Sequence, residues 1–351
     1  MYGWKKNIRQ VTPYVPGEQP REGNIIKLNT NENPYPPSGK VLEAIKGVDG
    51  EQMRKYPDPD ALSLAKALAG YHGVSSSNVF VGVGSDDVIG MSFLTFFNGG
   101  EKVLFPDITY SFYDVWAGLF KVPYMTPELD GDLRICCSDY INVKNGGIIF
   151  PNPNAPTGLD MDMRDMEEII KSNPSSVVIV DEAYVDFGGV SMIPLTKKYD
   201  NLLITRTYSK SRSMAGMRIG YAIGDKELID TLKAVKNSYN SYTLSSVAIK
   251  AAIASLEDDE YFKKCVKKIT DTRERSKTEL KKLGFSFPDS KANFIFAKHE
   301  KVPAGEIFQR LKENKILVRY FDREKINGHL RITVGTDEEM DSLFSCLGRI
   351  L

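Results

Sequence analysis

Three short apolar runs, each ending in polar residues, constrain the fold of this chain more than any other feature of its sequence. They cover residues 147–150, 177–180 and 201–205. A continuous run of β-branched and apolar residues is typical of a parallel strand that is covered on both faces. Ligands of open α/β sheets bind at the carboxyl ends of such strands. We therefore expect the polar residues that follow the three runs to lie near one another and to form a site.

The segment after the third run contains a candidate nucleophile, Lys210. Ser209 and Arg218 belong to the same segment, SKSRSMAGMRIGY. A lysine amine can condense with an aldehyde, and the common cofactor that uses this chemistry is pyridoxal 5'-phosphate. Any one lysine is ordinarily a solvated surface charge, so the prediction depends on its neighbours.

The other two strand ends offer partners for such a cofactor. Asp181 would face the pyridine nitrogen and keep it protonated, because a carboxylate favours the cationic ring. Tyr184 and Asn154 would donate hydrogen bonds to the phenolic oxygen of the ring. The prolines and glycine around Asn154, in PNPNAPTG, predict a rigid loop. Each of these residues could instead be structural, and Asp181 could simply cap a turn.

A glycine-serine turn offers a site for the cofactor phosphate. Gly84 and Ser85 follow a short apolar run and precede a helix that is predicted to start near Val88. The backbone N–H groups at the start of a helix bind anions. The carboxylates of Asp86 and Asp87 would repel phosphate oxygens, so both are expected to turn away or to cap the helix. The contact at Asp86 is therefore assigned to its backbone amide.

Two side chains are expected to complete the phosphate site. The helix dipole contributes only ~0.3–1 kcal/mol, whereas charge-assisted hydrogen bonds from Ser209 and Arg218 contribute ~1.5–3 kcal/mol each. Tyr110 follows a predicted strand that ends at Phe105, where its ring could stack on a planar cofactor. Packing in the core is the alternative for Tyr110.

The whole chain has the pattern of an α/β protein. At 351 residues it is long enough for two domains. The alternation of short apolar runs with amphipathic stretches predicts a large domain over 29–244, in which helices flank a mostly parallel sheet. Residues 1–28 are predicted to form an N-terminal arm, and 245–351 a smaller α+β domain.

The predicted small domain begins with one long helix over 247–283. Strands are predicted at 292–297, 316–320 and 330–334. Thr336, followed three residues later by Glu339, predicts a capping box at the start of the last helix.

Charge and composition exclude several functions. Lys and Arg total 46, as do Asp and Glu, so no field of one sign favours nucleic acid or an anionic membrane. Neither a signal peptide nor an apolar run of membrane-spanning length is recognisable, which predicts a cytoplasmic protein. The spacing of the four cysteines and three histidines matches no zinc site, redox pair or catalytic triad, so no metal is expected.

The ordered motifs NPNAPTG, DEAY and SKSRSMAGMRIGY closely resemble those of the fold type I, class II aminotransferases, and the resemblance covers nearly the whole chain. Within that superfamily, segments 12–17, 28–34, 55–59 and 330–335 are similar to the histidinol-phosphate aminotransferase family. The resemblance implies transamination between histidinol phosphate and 2-oxoglutarate, which yields imidazole-acetol phosphate and glutamate. The freed Lys210 would act as general base and acid.

The resemblance also implies a homodimer with active sites at the subunit interface. Tyr56 would reach the cofactor phosphate of the other subunit. Arg331 and Arg319 would bind the anionic end of the substrate, as two guanidiniums clamp a phosphate better than one, although Arg319 could also form a surface ion pair. Tyr14 and Tyr242 would line the side-chain pocket.

Two kinds of alternative function stay open at this point. An aromatic amino-acid aminotransferase or a threonine-phosphate decarboxylase would use the same scaffold. A ligand sensor without catalysis is disfavoured, because the chain has neither spare length for a nucleic-acid-binding domain nor a basic patch.

Overall fold

The strands of the described residues form two sheets, one of seven strands and one of five. The computed structural model describes residues 3–20 and 23–351. Residues 1–2 and 21–22 of the predicted arm lie outside the described residues. Among the described residues, no helix combines the length and the apolar character needed to cross a membrane.

The first sheet has the strand order β2-β8-β7-β6-β5-β3-β4. Its strands are β2 (Val79–Gly82), β3 (Val103–Leu104), β4 (Tyr124–Met125), β5 (Gly147–Pro151), β6 (Val178–Asp181), β7 (Leu202–Thr207) and β8 (Gly220–Gly224). From β4 to β7 every pair is parallel, whereas β8 runs antiparallel to both of its neighbours. The mostly parallel sheet predicted from the apolar runs is therefore present.

The central strands are buried on both faces, as their sequences predict. Alternate residues enter different cores: Ile149, Ile179 and Leu203 pack on one face, and their chain neighbours pack on the other. Burying one such side chain contributes about 1.5–3 kcal/mol, which favours apolar residues along each strand and leaves polar ones toward its end, as at Asp181 of β6 and Thr205 of β7. The polar functional groups are thereby restricted to the strand ends.

Helices cover both faces of the first sheet. The helices up to residue 282 are α1 (Gly39–Lys46), α2 (Gly50–Met53), α3 (Leu62–His72), α4 (Ser85–Phe96), α5 (Tyr113–Phe120), α6 (Met163–Ser172), α7 (Lys226–Tyr239), α8 (Ser246–Glu257) and α9 (Asp259–Lys282). The start of α4 lies three residues before the predicted one. Acidic residues in its first turn, Asp86 and Asp87, are favourable at a helix N-terminus.

The single long helix predicted over 247–283 is wrong in one respect, because the chain forms two helices there. Asp258 has φ −108° and ψ 53°, outside the helical region, and separates α8 from α9. Acidic side chains at the next two positions stabilise the new N-terminus. Periodicity alone could not reveal this break, since the apolar pattern continues across it.

The second sheet has the order β1-β11-β12-β10-β9. Its strands are β1 (Ile26–Leu28), β9 (Phe285–Ser286), β10 (Phe294–His299), β11 (Ile316–Tyr320) and β12 (Leu330–Thr333), and its remaining helices are α10 (Ala304–Glu313) and α11 (Asp337–Ile350). The predicted capping box is confirmed, since Thr336 and Glu339 bond reciprocally at the start of α11.

Two contacts bear on where the predicted domains begin and end. Strand β1 comes from the predicted arm, yet it pairs in parallel with β11 of the second sheet. Helix α8 comes from the predicted small domain, yet Ala248 and Ala252 pack in the same core as Val41 of α1. The predicted bounds at 28/29 and 244/245 stay a prediction.

Candidate active site

The carboxyl ends of β5, β6 and β7 lie side by side and carry the site. Their register pairs Pro151 with Asp181, and Asp181 with Thr205. The loop after β7 then brings Lys210 back over this edge. Two adjoining cavities open there, and both are lined by Asp86, Tyr110, Tyr184, Lys210 and Arg218.

The inner cavity is the one lined by Asp181, Ser85 and Ser209 in addition to the shared residues, and its volume is about 170 Å³. The outer cavity is the one lined by Arg319, Arg331 and Tyr14, and its volume is about 400 Å³. The structure thus brings together most of the residues that the sequence singled out.

Asp181 lies at the buried end of the inner cavity. Its carboxylate accepts hydrogen bonds from the backbone N–H of Ala183 at 3.2 Å, from Tyr113 Oη at 3.3 Å and from Thr205 Oγ1 at 3.3 Å. Burial raises the pKa of Asp181 to about 6, and the nearby charge of Asp86 acts in the same direction. A buried carboxylate of this kind is stabilised by a cationic partner.

Lys210 stands between the two cavities. Its Nζ lies 3.3 Å from the carbonyl oxygen of Thr30 and 5.8 Å from the ring of Tyr184. Its backbone is fixed from the opposite side, because Asn33 Nδ2 donates to the carbonyl oxygens of Lys210 and Ser211 at 3.0 and 3.1 Å. The amine is therefore carried on an anchored loop.

Tyr184 is oriented by a side chain from the segment after β1. Asn31 Nδ2 donates to the Tyr184 hydroxyl at 2.9 Å, and Asn31 Oδ1 accepts from Thr333 Oγ1 at 3.0 Å. Because the hydroxyl of Tyr184 already accepts this bond, its own hydrogen is available for an acceptor in the cavity.

Asn154 is held differently from what the sequence suggested. Its Nδ2 donates to Ile108 O at 3.0 Å and to Thr157 Oγ1 at 3.2 Å, and its Oδ1 accepts from Thr109 Oγ1 at 3.0 Å. Both amide hydrogens are thus used within the chain, and the next residue, Ala155, lines the cavities instead. Donation to a bound ring would require Asn154 to give up one of these bonds, so its role as a ligand stays a prediction.

The N-terminus of α4 closes the other end of the inner cavity. Gly84 caps this helix with φ 86°, a conformation that favours glycine. A Cβ atom at Gly84 would lie 2.5 Å from Arg218 Nη2, so any side chain would fill the space beside the guanidinium. Arg218 Nη1 also lies 3.5 Å from Ser209 Oγ. This cradle of N–H groups and a guanidinium suits a phosphate.

The expectation that both aspartates turn away holds for Asp87 and is wrong for Asp86. Asp87 Oδ2 accepts from the backbone N–H of Val83 at 2.9 Å. Asp86 instead faces the cavities, where its carboxylate lies 3.0 Å from Arg218 Nη2 and accepts from Tyr110 Oη at 2.7 Å. The physical reason is that the Arg218 guanidinium attracts the nearest carboxylate.

The two predicted substrate arginines lie directly opposite each other on neighbouring strands. Arg319 of β11 and Arg331 of β12 are register partners, and both line the outer cavity. Burial lowers the pKa of Arg331, and the adjacent charge of Arg319 contributes in the same direction. Arg331 Nε is buried and has no hydrogen-bond partner among the described residues. An anion entering the cavity would stabilise the charged form of Arg331 and would accept a hydrogen bond from its Nε.

The N-terminal segment covers the outer cavity. Tyr14 stacks on Phe112 with ring centroids 4.4 Å apart, and Arg319 donates to the carbonyl oxygens of Val15 and Pro16 at 3.4 and 3.5 Å. Part of the predicted arm therefore lies over the predicted substrate site.

Tyr56 and Tyr242 are not brought to the cavities of their own chain. Neither is among the described residues that line the inner or the outer cavity. Their rings stack on each other with centroids 4.6 Å apart, and Tyr56 is 82 % exposed. Their assigned roles stay predictions.

Four residues that hold the site were missed by sequence reasoning. Asn31 and Asn33 lie in the segment NTNENP, whose likeness to the family was recognised without any role for its asparagines. Tyr113 and Thr205 orient Asp181, and no local pattern distinguishes them from core residues.

The geometry agrees with comparison to known proteins. The sequence model of the family described as aminotransferase class I and II matches residues 23–347. The chain belongs to this aminotransferase family. Its fold is that of the fold type I aminotransferases, and it is an enzyme of that class.

Individual aminotransferases extend the comparison. The chain is 49 % identical to a histidinol-phosphate aminotransferase of Clostridium botulinum (strain Okra / Type B1) over 348 residues, which cover 99 % of this chain and 98 % of the relative. It is also 49 % identical, with the same coverage, to histidinol-phosphate aminotransferase 1 of Hydrogenovibrio crunogenus.

A solved aminotransferase gives the structural counterpart. The histidinol-phosphate aminotransferase of Sinorhizobium meliloti in complex with pyridoxal-5'-phosphate superposes with a TM-score of 0.85 at 25 % identity, covering 93 % of this chain and 90 % of the other.

Proposed function

We propose that this aminotransferase uses pyridoxal 5'-phosphate to transfer the amino group of histidinol phosphate to 2-oxoglutarate, giving imidazole-acetol phosphate and glutamate. This assigns it to histidine biosynthesis in the cytoplasm. The observation that carries the proposal is the register pair Arg319 and Arg331, which faces the same cleft as Lys210. The relatives that share nearly half of its residues bear the same activity in their names.

The inner cavity suits the cofactor at each of its ends. Pyridoxal phosphate, when bound, supplies an aldehyde that condenses with amines and a cationic ring that withdraws electrons. Asp181 would hold a proton on the ring nitrogen, a state that its buried carboxylate favours. The start of α4, with Ser209 and Arg218, would hold the phosphate, and Tyr184 would donate to the phenolic oxygen.

Arg218 must exchange partners when a phosphate binds. Its present partner Asp86 carries one negative charge at 3.0 Å. A phosphate offers more charge and several acceptor oxygens, so it competes well for a guanidinium. Tyr110 keeps Asp86 engaged through its hydroxyl.

Lys210 would carry the proton transfer. As general base and acid, the Lys210 amine would take a proton from substrate Cα and return it on the cofactor side. The anchored loop keeps Lys210 at the junction of the two cavities, so its amine faces both.

The arginine pair would accept both substrates in turn. Histidinol phosphate carries a phosphate where amino acids carry an α-carboxylate, and either anion would satisfy Arg331 and Arg319. Tyr14 lines the outer cavity, where its ring could stack on an imidazole.

A homodimer forms part of the proposal. Tyr56 is exposed and lies outside the cavities of its own chain, as expected if it contacts the cofactor phosphate of a second copy. The same arrangement would let Tyr242 approach the partner's substrate pocket.

Steady-state kinetics would test the substrate. With 2-oxoglutarate as acceptor, kcat/KM should be highest for histidinol phosphate among histidinol phosphate, phenylalanine and threonine phosphate. A higher value for phenylalanine would identify an aromatic amino-acid aminotransferase. Release of CO₂ from threonine phosphate, with histidinol phosphate inert, would identify a decarboxylase on the same scaffold.

A further inference from the structure

A buried ammonium group lies near Tyr56 and Tyr242, the two tyrosines that line neither cavity. Lys236, in the last turn of α7, is only 2 % exposed. Its Nζ donates to Pro59 O at 2.5 Å and to Ser241 O at 3.1 Å, and it lies 3.7 Å from Asp60 Oδ1. These acceptors belong to two different loops.

The two loops carry Tyr56 and Tyr242. The first loop, residues 54–61, joins α2 to α3, and the second, residues 240–245, joins α7 to α8. Their rings are stacked at an angle of 23°. Lys236 thus links the backbones on which a stacked and largely exposed aromatic pair is mounted.

Burial of this amine needs a reason. Removing an ammonium group from water is unfavourable unless hydrogen bonds replace the lost solvent, and burial lowers the pKa of Lys236. An apolar side chain would fill the same space at lower cost but would leave the carbonyls of Pro59 and Ser241 without their donor. Proline has no N–H of its own, so Pro57 and Pro59 cannot act as donors. The N–H groups of Asp60 and Ala61 bond within the loop, to Asp58, whereas Lys236 ties the loop to α7.

We infer that Lys236 is a positioning residue, which holds the Tyr56 and Tyr242 pair in place for the cofactor site of the partner subunit. This inference rests on the proposed function, since it takes the aminotransferase to be a dimer with Tyr56 at the partner's cofactor phosphate. Lys236 itself touches neither cofactor nor substrate.

Lys236→Met tests the inference, because methionine keeps the length of the side chain and removes the donor. Lys233→Met, one turn earlier on α7, is the matched control. Spectroscopic titration of cofactor-free dimer with pyridoxal phosphate should give a Kd raised about tenfold by Lys236→Met, as for the loss of one well-made hydrogen bond. The control should stay within about twofold.

Equal Kd values for the two variants would overturn the inference. If Lys236→Met does not fold as a dimer by sedimentation, Lys236→Gln takes its place with the same two outcomes, because glutamine is neutral and too short to reach both carbonyls. If the wild-type protein neither binds pyridoxal phosphate nor transaminates, the proposed function itself is wrong. This result is distinct from equal Kd values for the two variants, which contradict only the role of Lys236.

Hybrid dimers separate positioning across the interface from a local structural defect. Differently tagged Lys210→Ala and Lys236→Met chains would be assembled and purified as a mixed dimer. Its one Lys210 lies in the Lys236→Met chain, opposite a partner whose Lys236 and Tyr56 are intact. We expect this site to bind cofactor covalently with wild-type Kd. A Kd that remains raised would place the defect within the same chain and contradict the inference.

Discussion

Tyr113 donates a hydrogen bond to Asp181, with 3.3 Å between Tyr113 Oη and Asp181 Oδ2, and both side chains are buried. The bond comes from the first residue of α5 and reaches the end of β6, so it ties a helix to the carboxylate at the base of the inner cavity. Such a bond favours the ionised carboxylate against the cost of its burial.

Tyr113→Phe should therefore weaken cofactor binding. Loss of the hydroxyl raises the pKa of Asp181 further and removes a bond to a charged group, which contributes ~1.5–3 kcal/mol. We expect the Kd of pyridoxal phosphate to rise about tenfold, measured by titration of the cofactor-free protein. Tyr140→Phe removes another buried hydroxyl, one without a hydrogen-bond partner among the described residues, and should leave that Kd unchanged. An equal rise in Kd in both variants would show that the effect comes from a general disturbance of the fold and not from the bond to Asp181.

Asp181→Asn should stabilise the cofactor-free protein while weakening cofactor binding. The pKa of Asp181 is about 6 in the folded chain and about 3.9 when unfolded, so the folded state binds the proton more tightly. The stability that Asp181 contributes is fully present at pH values below its pKa in the unfolded chain. It is lost as the pH rises through its pKa in the folded chain. Asparagine avoids that loss, which amounts to about 2–3 kcal/mol at pH ~8.

Urea unfolding of cofactor-free wild type and Asp181→Asn at several pH values measures this difference. The gain in free energy of unfolding should be present at pH ~8. It should vanish below pH ~4, where the Asp181 carboxyl group of the wild type is protonated in both the folded and the unfolded chain. A gain that does not change with pH would show that the substitution acts through packing alone.

Arg331→Gln should lower kcat/KM for histidinol phosphate and for glutamate alike. Arg331 is half-buried and its buried Nε has no hydrogen-bond partner among the described residues, so it can form stronger bonds to an anion than Arg319, whose contacts are exposed. We expect a loss of about 100-fold for Arg331→Gln and about tenfold for Arg319→Gln. The Kd of pyridoxal phosphate is the control and should not change. Unchanged kcat/KM for both substrates in both variants would show that the arginine pair does not bind the substrate anion.

Thr336→Ala should destabilise the chain by about 1 kcal/mol, the usual cost of losing an N-cap. Thr336 Oγ1 accepts from the backbone N–H of Glu339 at 3.2 Å, and Glu339 Oε2 accepts from the Thr336 N–H at 2.8 Å. Ser342→Ala, in the interior of the same helix, should be neutral or slightly stabilising. Chemical denaturation compares the two, and a smaller cost for Thr336→Ala than for Ser342→Ala would contradict this account.

The sequence predicted the strands that carry the site, because burial on both faces demands uninterrupted apolar runs. It predicted where Asp181 and Lys210 lie for the same reason, since each follows directly from a strand end. It could not predict that β1 joins the second sheet, because strand pairing depends on residues nearly 300 positions away.

Finer features depend on partners that the local sequence does not reveal. The role of Asn154 at the cofactor stays a prediction, and no sequence pattern indicated that its amide donates to Ile108 and Thr157, which only the folded loop brings together. The carboxylate of Asp86 was expected to turn away from the phosphate site, but it accepts a hydrogen bond from Arg218. Local patterns located the site, whereas its hydrogen-bond network depends on the tertiary structure.

The identity of the lysine that reacts with pyridoxal phosphate is the central claim, and chemical trapping tests it most directly. The purified protein would be incubated with pyridoxal phosphate, reduced with borohydride and digested, and the phosphopyridoxyl peptide would be mapped by mass spectrometry. We predict the added mass on Lys210, and its loss in Lys210→Ala together with the bound-cofactor absorbance. Specific labelling of another lysine, with Lys210 unmodified, would contradict the account.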